Sequence, residues 1–312
     1  MVAPASTANT LSGPYRGRFA PSPTGPLHFG SLVTAVASYL QARANNGEWL
    51  VRVEDIDPPR EVAGSADQIL RSLEAHGLQW DGELIWQSKH LEQYEDALQS
   101  LLNEKLAFYC TCTRKQLIAT AEHGPLGIIY PGTCRHSEQP ALPDRAVRLI
   151  TAGEQVTVND LLQEQFTTDF DKEVGDFLLR RGDGLIAYHL AVTVDDAAQG
   201  ITEIVRGIDL LPSTACQNLL QQRLGLPVPA YAHIPVAVNE DGQKLSKQTG
   251  ASALNDAQPV ANLWQALSFL GQQPPAELSR AALHELWQWA QSNWSILPLR
   301  GIKQRGLIGH FP

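Results

Sequence analysis

The chain has 312 residues, of which 43% are hydrophobic and 18% are charged, and its formal net charge is −9. A chain of this size and composition can bury more than one core, and it contains no apolar run of the roughly eighteen residues that a membrane-spanning helix needs. The acidic balance excludes indiscriminate polyanion binding but leaves room for a local basic surface, because steering depends on how charge is distributed.

The first dozen residues, Met1 to Ser12, are small and polar, and they lack both a basic start and an apolar core. We therefore expect a disordered tail over residues 1–14 and no signal peptide. The chain has four cysteines and is neither small nor visibly secreted, so a disulfide scaffold is not expected. These features predict a cytoplasmic protein with no membrane association.

The first predicted elements form a strand–helix–strand unit. A strand is expected over residues 16–22, an apolar-periodic helix over 28–45, and a second strand over 49–53. This is the size of a parallel crossover. Glu54 follows the second strand at its carboxyl end, the edge at which open α/β sheets bind ligands.

Two helices are predicted next, the first opened by a capping box at Ser65 and the second running from about residue 89 to 105. The sequence pattern then changes, because residues 108–175 combine a cysteine cluster, several Gly and Pro residues and short strand-like pieces. We interpret this segment as an insertion between two halves of a nucleotide-binding fold.

Regular periodicity returns after the insertion. A helix is predicted from about residue 211 to 224 with Ser213 as its cap, and a strand over 232–238 leads into a loop that carries Lys244 and Lys247. The last 55 residues are predicted to be helical. We expect an α/β protein with these parts: tail 1–14, first catalytic half 15–107, insertion 108–175, second catalytic half 176–250, and a helical C-terminal region 251–312.

The motif with the most chemical information is R-F-A-P-S-P-T-G-P-L-H-F-G-S, from Arg18 to Ser31. It delivers His28 and Gly30 to the start of a helix, where unpaired N–H groups and the positive dipole end favour phosphate. Gly30 permits close approach of the backbone, and His28 can donate to phosphate oxygens. Taken alone, His28-x-Gly30 is more typical of a helix start with an incidental histidine, and the preceding Pro-Ser-Pro-Thr-Gly is what favours a functional interpretation.

A second basic motif, K-L-S-K-Q, covers Lys244 to Gln248. Two lysines that flank a serine on a glycine-hinged loop can close over a triphosphate and neutralise the departing pyrophosphate. Taken alone, this pattern is also typical of a solvated hairpin tip. The combination of the two motifs favours a protein that splits ATP.

These two stretches resemble the "HIGH" and "KMSKS" signatures of class I aminoacyl-tRNA synthetases. The sequences R-F-A-P-S-P-T-G and V-R-V-E-D-I-D resemble motifs of the glutamyl branch of this family. The resemblance extends from residue 16 to about 250. Two positions depart from the family pattern, because Ser31 replaces the second signature histidine and the lysine loop ends in Gln248. The resemblance implies a Rossmann-type catalytic domain with a zinc-containing insertion.

The resemblance also implies the site residues. His28 and Lys247 would be catalytic, and His28, Gly30, Lys244 and Lys247 would bind ATP together with Mg²⁺. The residues implied for glutamate are Arg18, Phe19, Ala20, Pro21, Ser22, Glu54, Tyr188 and Arg206. Charge supports this set, because arginine clamps carboxylates and a carboxylate attracts the ammonium. Two alternatives stay open: Arg18 could pair structurally with Asp55 or Asp57, and Tyr188 could be an ordinary strand aromatic.

A metal site is suggested by Cys110-x-Cys112 followed by Tyr130-x₃-Cys134. The resemblance implies a structural Zn²⁺ held by Cys110, Cys112, Tyr130 and Cys134. Thiolates suit tetrahedral zinc, whereas a tyrosine ligand is unusual, and His123 and His136 are rival fourth ligands. Three free thiols are the alternative. Cys216 is interpreted as a small buried hydrophobe.

Only 64 residues follow Gln248, too few for the helical anticodon-reading domains of the glutamyl branch. The chain thus resembles a truncated paralogue of that branch. This implies activation of L-glutamate with ATP without tRNA, then transfer to the cyclopentenediol of queuosine at the wobble position of tRNA(Asp). We expect a monomer. Three alternatives remain: a truncated enzyme charging a tRNA 3′ end, a tRNA-free nucleotidyltransferase, and a non-catalytic zinc-containing RNA-binding protein.

Overall fold

The computed structural model describes residues 13–120, 122–137, 145–239, 242–244 and 252–306. The predicted tail therefore lies outside the described residues up to Ser12. The first part of the chain alternates strands and helices. Its elements are β1 (Arg16–Phe19), α1 (Phe29–Ala44), β2 (Glu48–Val53), α2 (Ser65–Ala75), β3 (Ile85–Trp86) and α3 (Leu91–Asn103).

The middle of the chain contains short strands that pair mainly antiparallel. Its elements are β4 (Ala107–Cys110), α4 (Arg114–Thr120), β5 (His123–Gly124), β6 (Gly127–Ile128), β7 (Ala146–Leu149), β8 (Gln155–Val158), β9 (Phe166–Asp169), α5 (Phe170–Glu173) and β10 (Leu178–Arg180). Strand β7 lies between β4 and β10, while β5 pairs with β6 and β8 with β9. This pairing separates the segment from the parallel sheet described next.

The last part returns to alternating helices and parallel strands. Its elements are α6 (Tyr188–Ala198), β11 (Glu203–Gly207), α7 (Leu211–Arg223), β12 (Ala230–Ile234), β13 (Val236–Val238), α8 (Pro259–Phe269), α9 (Leu283–Asn293) and β14 (Gln304–Gly306). Strand β11 pairs in parallel with β12, and β13 pairs in parallel with β14.

The parallel strands form one layer that crosses from the first part of the chain to the last. Strand β1 pairs in parallel with β2, which pairs in parallel with β3. On its other side, the backbone amide of Thr202 donates to the carbonyl of Arg16 at 2.9 Å, which places β11 beside β1. The spatial order is therefore β3–β2–β1–β11–β12. In such a sheet the order reverses between β1 and β11, and ligands bind outside the carboxyl ends of the strands at that point.

Helix α1 lies at the centre of the main core. Leu32, Val36 and Leu40 are fully buried, and the helix packs against β1, β11, α8 and α9. The C-terminal tryptophans belong to this core, because the indole of Trp287 donates to the carbonyl of His76 at 2.8 Å and that of Trp294 donates to Gln41 at 3.0 Å. Their role in the described structure is helix packing.

Three local predictions are wrong for identifiable reasons. Ser65 does not cap α2, since Gly64 is the N-cap residue and the buried Ser65 hydroxyl instead accepts the backbone amide of Gly25 at 2.8 Å. Ser213 lies inside α7, whose N-cap residue is Leu210. The strand predicted over 232–238 is divided at Pro235, because proline has no N–H to continue a ladder.

The C-terminal region is less purely helical than the composition predicts, because β14 pairs with β13 there. No helix among the described residues is long and apolar enough to cross a membrane.

Candidate active site

The loop after β1 carries the first signature motif to the start of α1. His28 is the N-cap residue, and its Nδ1 accepts the backbone amide of Ser31 at 3.3 Å. Because Nδ1 accepts, neutral His28 carries its proton on Nε2, which lies 3.1 Å from the Ser31 hydroxyl. Gly30 is partly exposed on the first turn of the helix. The structure thus places His28 and Gly30 at a helix N-terminus, as predicted, and Ser31 contacts the histidine directly.

Arg18 lies on β1 and is buried, with only 5% of its surface exposed. Its Nε donates to Asp196 Oδ1 at 3.2 Å and its Nη2 faces Asp196 Oδ2 at 3.5 Å. The alternative partners considered from sequence are wrong. Asp55 accepts the backbone amide and hydroxyl of Ser88 instead, and Asp57 pairs with two other arginines.

Glu54 follows β2 directly and is buried. Its backbone amide donates to the carbonyl of Pro21 at 3.0 Å, which ties the loop after β1 to the carboxyl end of β2. Burial raises the pKa of the Glu54 carboxyl, and the positive charges of Arg52 and Arg18 oppose this effect without cancelling it. A cationic ligand at this point would therefore be stabilised by a carboxylate that lacks full solvation.

Arg52 is completely buried and holds the centre of this charge cluster. Its Nη1 donates to Asp196 at 2.8 Å, its Nη2 faces Glu54 at 3.4 Å, and its Nε lies 3.6 Å from Asp195. Asp195 also accepts hydrogen bonds from Gln87 and Tyr94. Arg52 therefore neutralises the carboxylate of Glu54, directly after β2, and those of two aspartates on α6.

We expect replacement of Arg52 by methionine to lower the free energy of unfolding by about 3 kcal/mol, since it leaves buried carboxylates without a counter-charge. Urea denaturation measures this loss. Lys172→Met, which removes the exposed ion pair with Asp169, is the control and should leave the unfolding midpoint unchanged. Equal stability of the Arg52→Met protein and the parent would contradict the assigned role.

Arg206 lies on β11 and is 2% exposed. Its Nε donates to His233 Nε2 at 3.0 Å, and its Nη2 donates to the Thr214 hydroxyl at 2.9 Å and faces the Leu210 carbonyl at 3.4 Å. Its Nη1 is buried and has no hydrogen-bond partner among the described residues. Because a buried donor without a partner is costly, this atom is the natural contact for a bound acceptor.

Tyr188 is the group on which the charges of the site act together. It is the first residue of α6, not a strand residue, and 36% of its surface is exposed. Burial raises the pKa of the phenol; the charges of Glu54 and Asp196 also raise it, whereas those of Arg206 and Arg18 lower it. Tyr188 therefore lies within the electrostatic field of the charged groups carried by β1, β11, α6 and the end of β2.

The remaining residues of the predicted glutamate set lie at the end of β1 and on the loop that follows it. Phe19 is buried and stacks on Trp49, with ring centroids 6.3 Å apart, so its contribution at the site is its backbone. Ala20 and Pro21 are partly exposed, and Ser22 is exposed. The carbonyl of Ser22 accepts the backbone amide of Thr24 at 2.8 Å.

The second signature loop is described only at its first residue. Lys244 Nζ donates to Asp209 at 2.7 Å, which links the loop to the turn that follows β11. Lys247 lies outside the described residues, so its predicted role is carried by the sequence alone.

Three cysteine sulfurs come together in the middle segment. The Sγ atoms of Cys110, Cys112 and Cys134 lie within 4.8 Å of one another and could hold a metal ion. The Tyr130 hydroxyl lies 3.4 Å from Cys110 Sγ and 3.6 Å from Cys112 Sγ. Gly175, at φ 69°, lets the backbone of Tyr130 approach where any Cβ would collide.

The histidines considered as rival ligands are both exposed, and neither joins this cluster within the described ranges of the chain. These are His123, on β5, and His136. Cys216 is fully buried on α7, and burial raises the pKa of its thiol to about 12, as expected for a core residue.

A cleft of about 1030 Å³ joins the two groups of residues. Its lining includes Ser22, Glu54 and Tyr188 of the first group and Cys112 and Tyr130 of the second. Arg18 and Arg206 are buried. The polar centre therefore opens onto a space large enough for a ligand much bigger than an amino acid.

Several residues of this site were not identified from sequence. They are Arg52, Asp160, Asp195, Asp196, Thr214 and His233. A usable signal was present for two of them, because consecutive aspartates at 195 and 196 interrupt an otherwise apolar helix, and charged residues are rarely buried without a partner. Asp160 and His233 carried no comparable signal.

Comparison with known proteins agrees with this geometry. Residues 15–263 match the family model described as tRNA synthetases class I (E and Q), catalytic domain. A glutamyl-Q tRNA(Asp) synthetase of Dechloromonas aromatica is 52% identical over 288 residues, covering 91% of this chain and 95% of that protein. A glutamyl-Q tRNA(Asp) synthetase of Pseudomonas aeruginosa is 49% identical over 91% of this chain and 94% of that protein.

Solved structures support the fold. The crystal structure of a glutamate tRNA ligase from Elizabethkingia meningosepticum aligns with a TM-score of 0.78 at 24% identity, covering 95% of this chain and 67% of that one. The predicted α/β class and the catalytic-domain fold are thus confirmed. The chain belongs to the class I tRNA synthetases of the glutamate and glutamine branch, in the group of the glutamyl-Q tRNA(Asp) synthetases.

Proposed function

We propose that the protein activates L-glutamate with ATP without tRNA and then transfers it to the cyclopentenediol of queuosine in tRNA(Asp). The observation that carries this proposal is the 52% identity to a glutamyl-Q tRNA(Asp) synthetase over 95% of that protein. The combined field of Arg18, Glu54 and Arg206 at Tyr188 supports it, because these groups match the charges of glutamate.

Glutamate would bind by charge complementarity. Arg206 Nη1, which has no partner among the described residues, and the guanidinium of Arg18 would hold a substrate carboxylate. Glu54 would face the ammonium, and Ser22 and Tyr188 would add neutral hydrogen bonds. Phe19, Ala20 and Pro21 would complete this wall with their backbone.

Activation requires no protein nucleophile. An oxygen of the substrate α-carboxylate attacks the α-phosphorus of ATP, and the bond to the β-phosphate bridging oxygen breaks, giving glutamyl-adenylate and pyrophosphate. His28, Gly30, Lys244 and Lys247 would hold the phosphates by positioning and charge. Mg²⁺ bound with ATP would supply further neutralisation of the phosphates.

In the transfer step, a queuosine hydroxyl attacks the carbonyl carbon of the mixed anhydride and forms the ester bond. AMP leaves with the electron pair of the broken anhydride bond, and its phosphate takes up the hydroxyl proton. The cleft between the glutamate wall and the cysteine cluster would admit the wobble nucleoside. In this proposal residues 15–107 and 176–250 carry out the chemistry, the insertion 108–175 contacts the tRNA, and residues 251–312 support the fold. We place the reaction in the cytoplasm, carried out by a monomer.

We propose that the cysteine cluster holds a structural zinc ion with Tyr130 as the fourth ligand. Donors in a tetrahedral zinc–thiolate site lie about 3.8 Å apart, and here Cys112 and Cys134 Sγ are 3.6 Å apart, with the phenol oxygen at 3.4 to 3.6 Å from two of the thiols. Burial alone would raise the pKa of Cys134, but hydrogen bonds from the Thr111 backbone and from Tyr130 lower it to about 6. The donor set therefore fits zinc.

Burial and the neighbouring thiols raise the pKa of Tyr130 and so disfavour its phenolate form. A bound zinc ion would supply the positive charge that favours the phenolate. It would also join the end of β4 to the segment around Cys134, which gives the ion a structural role.

Purified protein is expected to contain about one zinc ion per chain, and Cys134→Ser is expected to lose it. Inductively coupled plasma mass spectrometry measures the metal, and thermal unfolding should show a lower midpoint for this variant. Cys216→Ala is the matched control and should keep its zinc, because Cys216 is buried in a different core. Full zinc occupancy in Cys134→Ser would contradict the assignment.

The first step is tested by ATP–pyrophosphate exchange without tRNA. We expect exchange that depends on L-glutamate and is absent with L-glutamine. The side-chain amide of glutamine cannot replace the side-chain carboxylate of glutamate in a charge-assisted contact with arginine. Absence of glutamate-dependent exchange in folded, zinc-loaded protein would overturn the proposed function.

A further inference from the structure

The side chain of Arg206 is fixed by a chain of hydrogen bonds that begins outside the parallel sheet. Arg206 Nε donates to His233 Nε2 at 3.0 Å, and His233 Nδ1 lies 2.6 Å from Asp160 Oδ2. His233 and Asp160 are both fully buried at their side chains. Asp160 follows β8, in the segment 108–175, whereas the other two residues lie on β12 and β11.

The tautomer of His233 follows from these contacts. An arginine N–H can only donate, so Nε2 of His233 must accept, and its proton must lie on Nδ1. Nδ1–H then donates to Asp160. Burial and the charge of Arg206 lower the pKa of His233, and the hydrogen bond to Asp160 offsets this only in part. The imidazole is therefore a neutral acceptor toward the arginine.

The orientation of Asp160 is also fixed. Its Oδ1 accepts the backbone amides of Leu162 and Gln163, both at 3.0 Å, and of His233 at 3.2 Å. Only Oδ2 faces the imidazole. Three amides that all require an acceptor leave no second orientation for this side chain.

We infer that Asp160 and His233 are positioning residues that hold the Arg206 guanidinium so that its Nη1 meets the substrate carboxylate. The inference deepens the proposed function, on which it rests. The arginine side chain is already ordered before the ligand binds. Binding therefore does not have to supply the conformational entropy lost on ordering it, and affinity for the ligand increases. The segment 108–175 thereby contributes to amino-acid binding through Arg206, although Asp160 itself does not touch the arginine.

The isosteric variant Asp160→Asn tests this directly. The three backbone amides keep the remaining oxygen, so the new amide nitrogen must face His233 and donate to Nδ1. His233 then carries its proton on Nε2, where it opposes the Arg206 N–H. We expect the KM for glutamate to rise by about tenfold or more, with the KM for ATP unchanged, because a buried donor loses its acceptor.

A second substitution separates positioning from mere stability. With Asp160 in place, glutamine at position 233 can accept from Arg206 through its oxygen and donate to Asp160 through its nitrogen, as the neutral histidine does. His233→Gln alone is therefore expected to keep most of the parental affinity for glutamate. Thr157→Val removes a hydrogen bond between the exposed hydroxyls of Thr157 and Thr167 in the same segment as Asp160, away from Arg206, and it should leave the glutamate KM unchanged.

Glutamate-dependent ATP–pyrophosphate exchange at varied glutamate and ATP measures all four proteins. An unchanged glutamate KM in folded Asp160→Asn overturns the inference, and so does a His233→Gln variant whose glutamate KM rises as much as that of Asp160→Asn. If Asp160→Asn does not fold, His233→Leu against His233→Gln decides, with a raised glutamate KM expected only for leucine. Failure of the parent protein to exchange would instead overturn the proposed function.

Discussion

Replacement of Lys247 by alanine is expected to lower glutamate-dependent ATP–pyrophosphate exchange by a factor of about 10²–10³. The lysine is the last cation of the second signature loop, and the position of the second signature histidine is occupied by Ser31. Fewer cations are therefore available to stabilise charge on the departing pyrophosphate. Stabilisation of that charge depends correspondingly more on Lys247 and His28. The effect should fall mainly on kcat, since the interaction strengthens as the bond breaks.

The control for this variant is Lys172→Ala, which removes an exposed lysine of α5 paired with Asp169. It should exchange at the parental rate, and both proteins should show the parental circular dichroism spectrum and thermal midpoint. Exchange by Lys247→Ala within a few-fold of the parent would remove this lysine from the mechanism.

Replacement of Arg206 by leucine is expected to lower kcat/KM for glutamate by a factor of about 10²–10³, which corresponds to about 3–4 kcal/mol. The reason is the loss of a desolvated, charge-assisted hydrogen bond to the substrate carboxylate. Arg206→Lys should recover only a small part, because an ammonium group keeps the charge but cannot bond His233, Thr214 and the substrate together.

Exchange kinetics at varied glutamate measures the Arg206 effect, and the KM for ATP should change little. Arg280→Leu, at an exposed position of the C-terminal region, is the control and should behave as the parent. A parental KM for glutamate in Arg206→Leu would show that the amino acid binds elsewhere.

The sequence predicts the elements around the first signature well because their signals are local. Apolar periodicity places a helix over residues 28–45, and the structure has it at Phe29–Ala44 with His28 as N-cap. The crossover from β1 to β2 follows from the lengths of the segments. Similarly, the cysteine cluster is visible from spacing, and the structure confirms that Cys110, Cys112 and Cys134 converge.

The partners of the buried charges could not be predicted because they are distant in the chain. Arg52 and Asp196 are 144 positions apart, and Arg18 and Asp196 are 178 apart. Asp55 and Asp57, which are closer to Arg18 in the sequence, were the structural partners left open beside glutamate binding. The fold instead brings Asp196, on α6, into contact with Arg18.

The orientation of Arg206 was beyond sequence reasoning for the same physical cause. Its acceptor His233 comes from the neighbouring strand β12, paired in register with it. Asp160, which sets the tautomer of that histidine, comes from a loop 73 positions earlier. No local sequence pattern marks His233 or Asp160 as part of the Arg206 network. The contacts in the folded structure show it directly.

Transfer to queuosine is tested by offering labelled glutamate and ATP to matched preparations of tRNA(Asp) with and without queuosine. We expect acid-precipitable label only on the queuosine-bearing tRNA, released by mild alkali as expected for an ester. Equal labelling of both preparations would exclude transfer to queuosine, because the glutamate would then have been attached at the 3′ end shared by both.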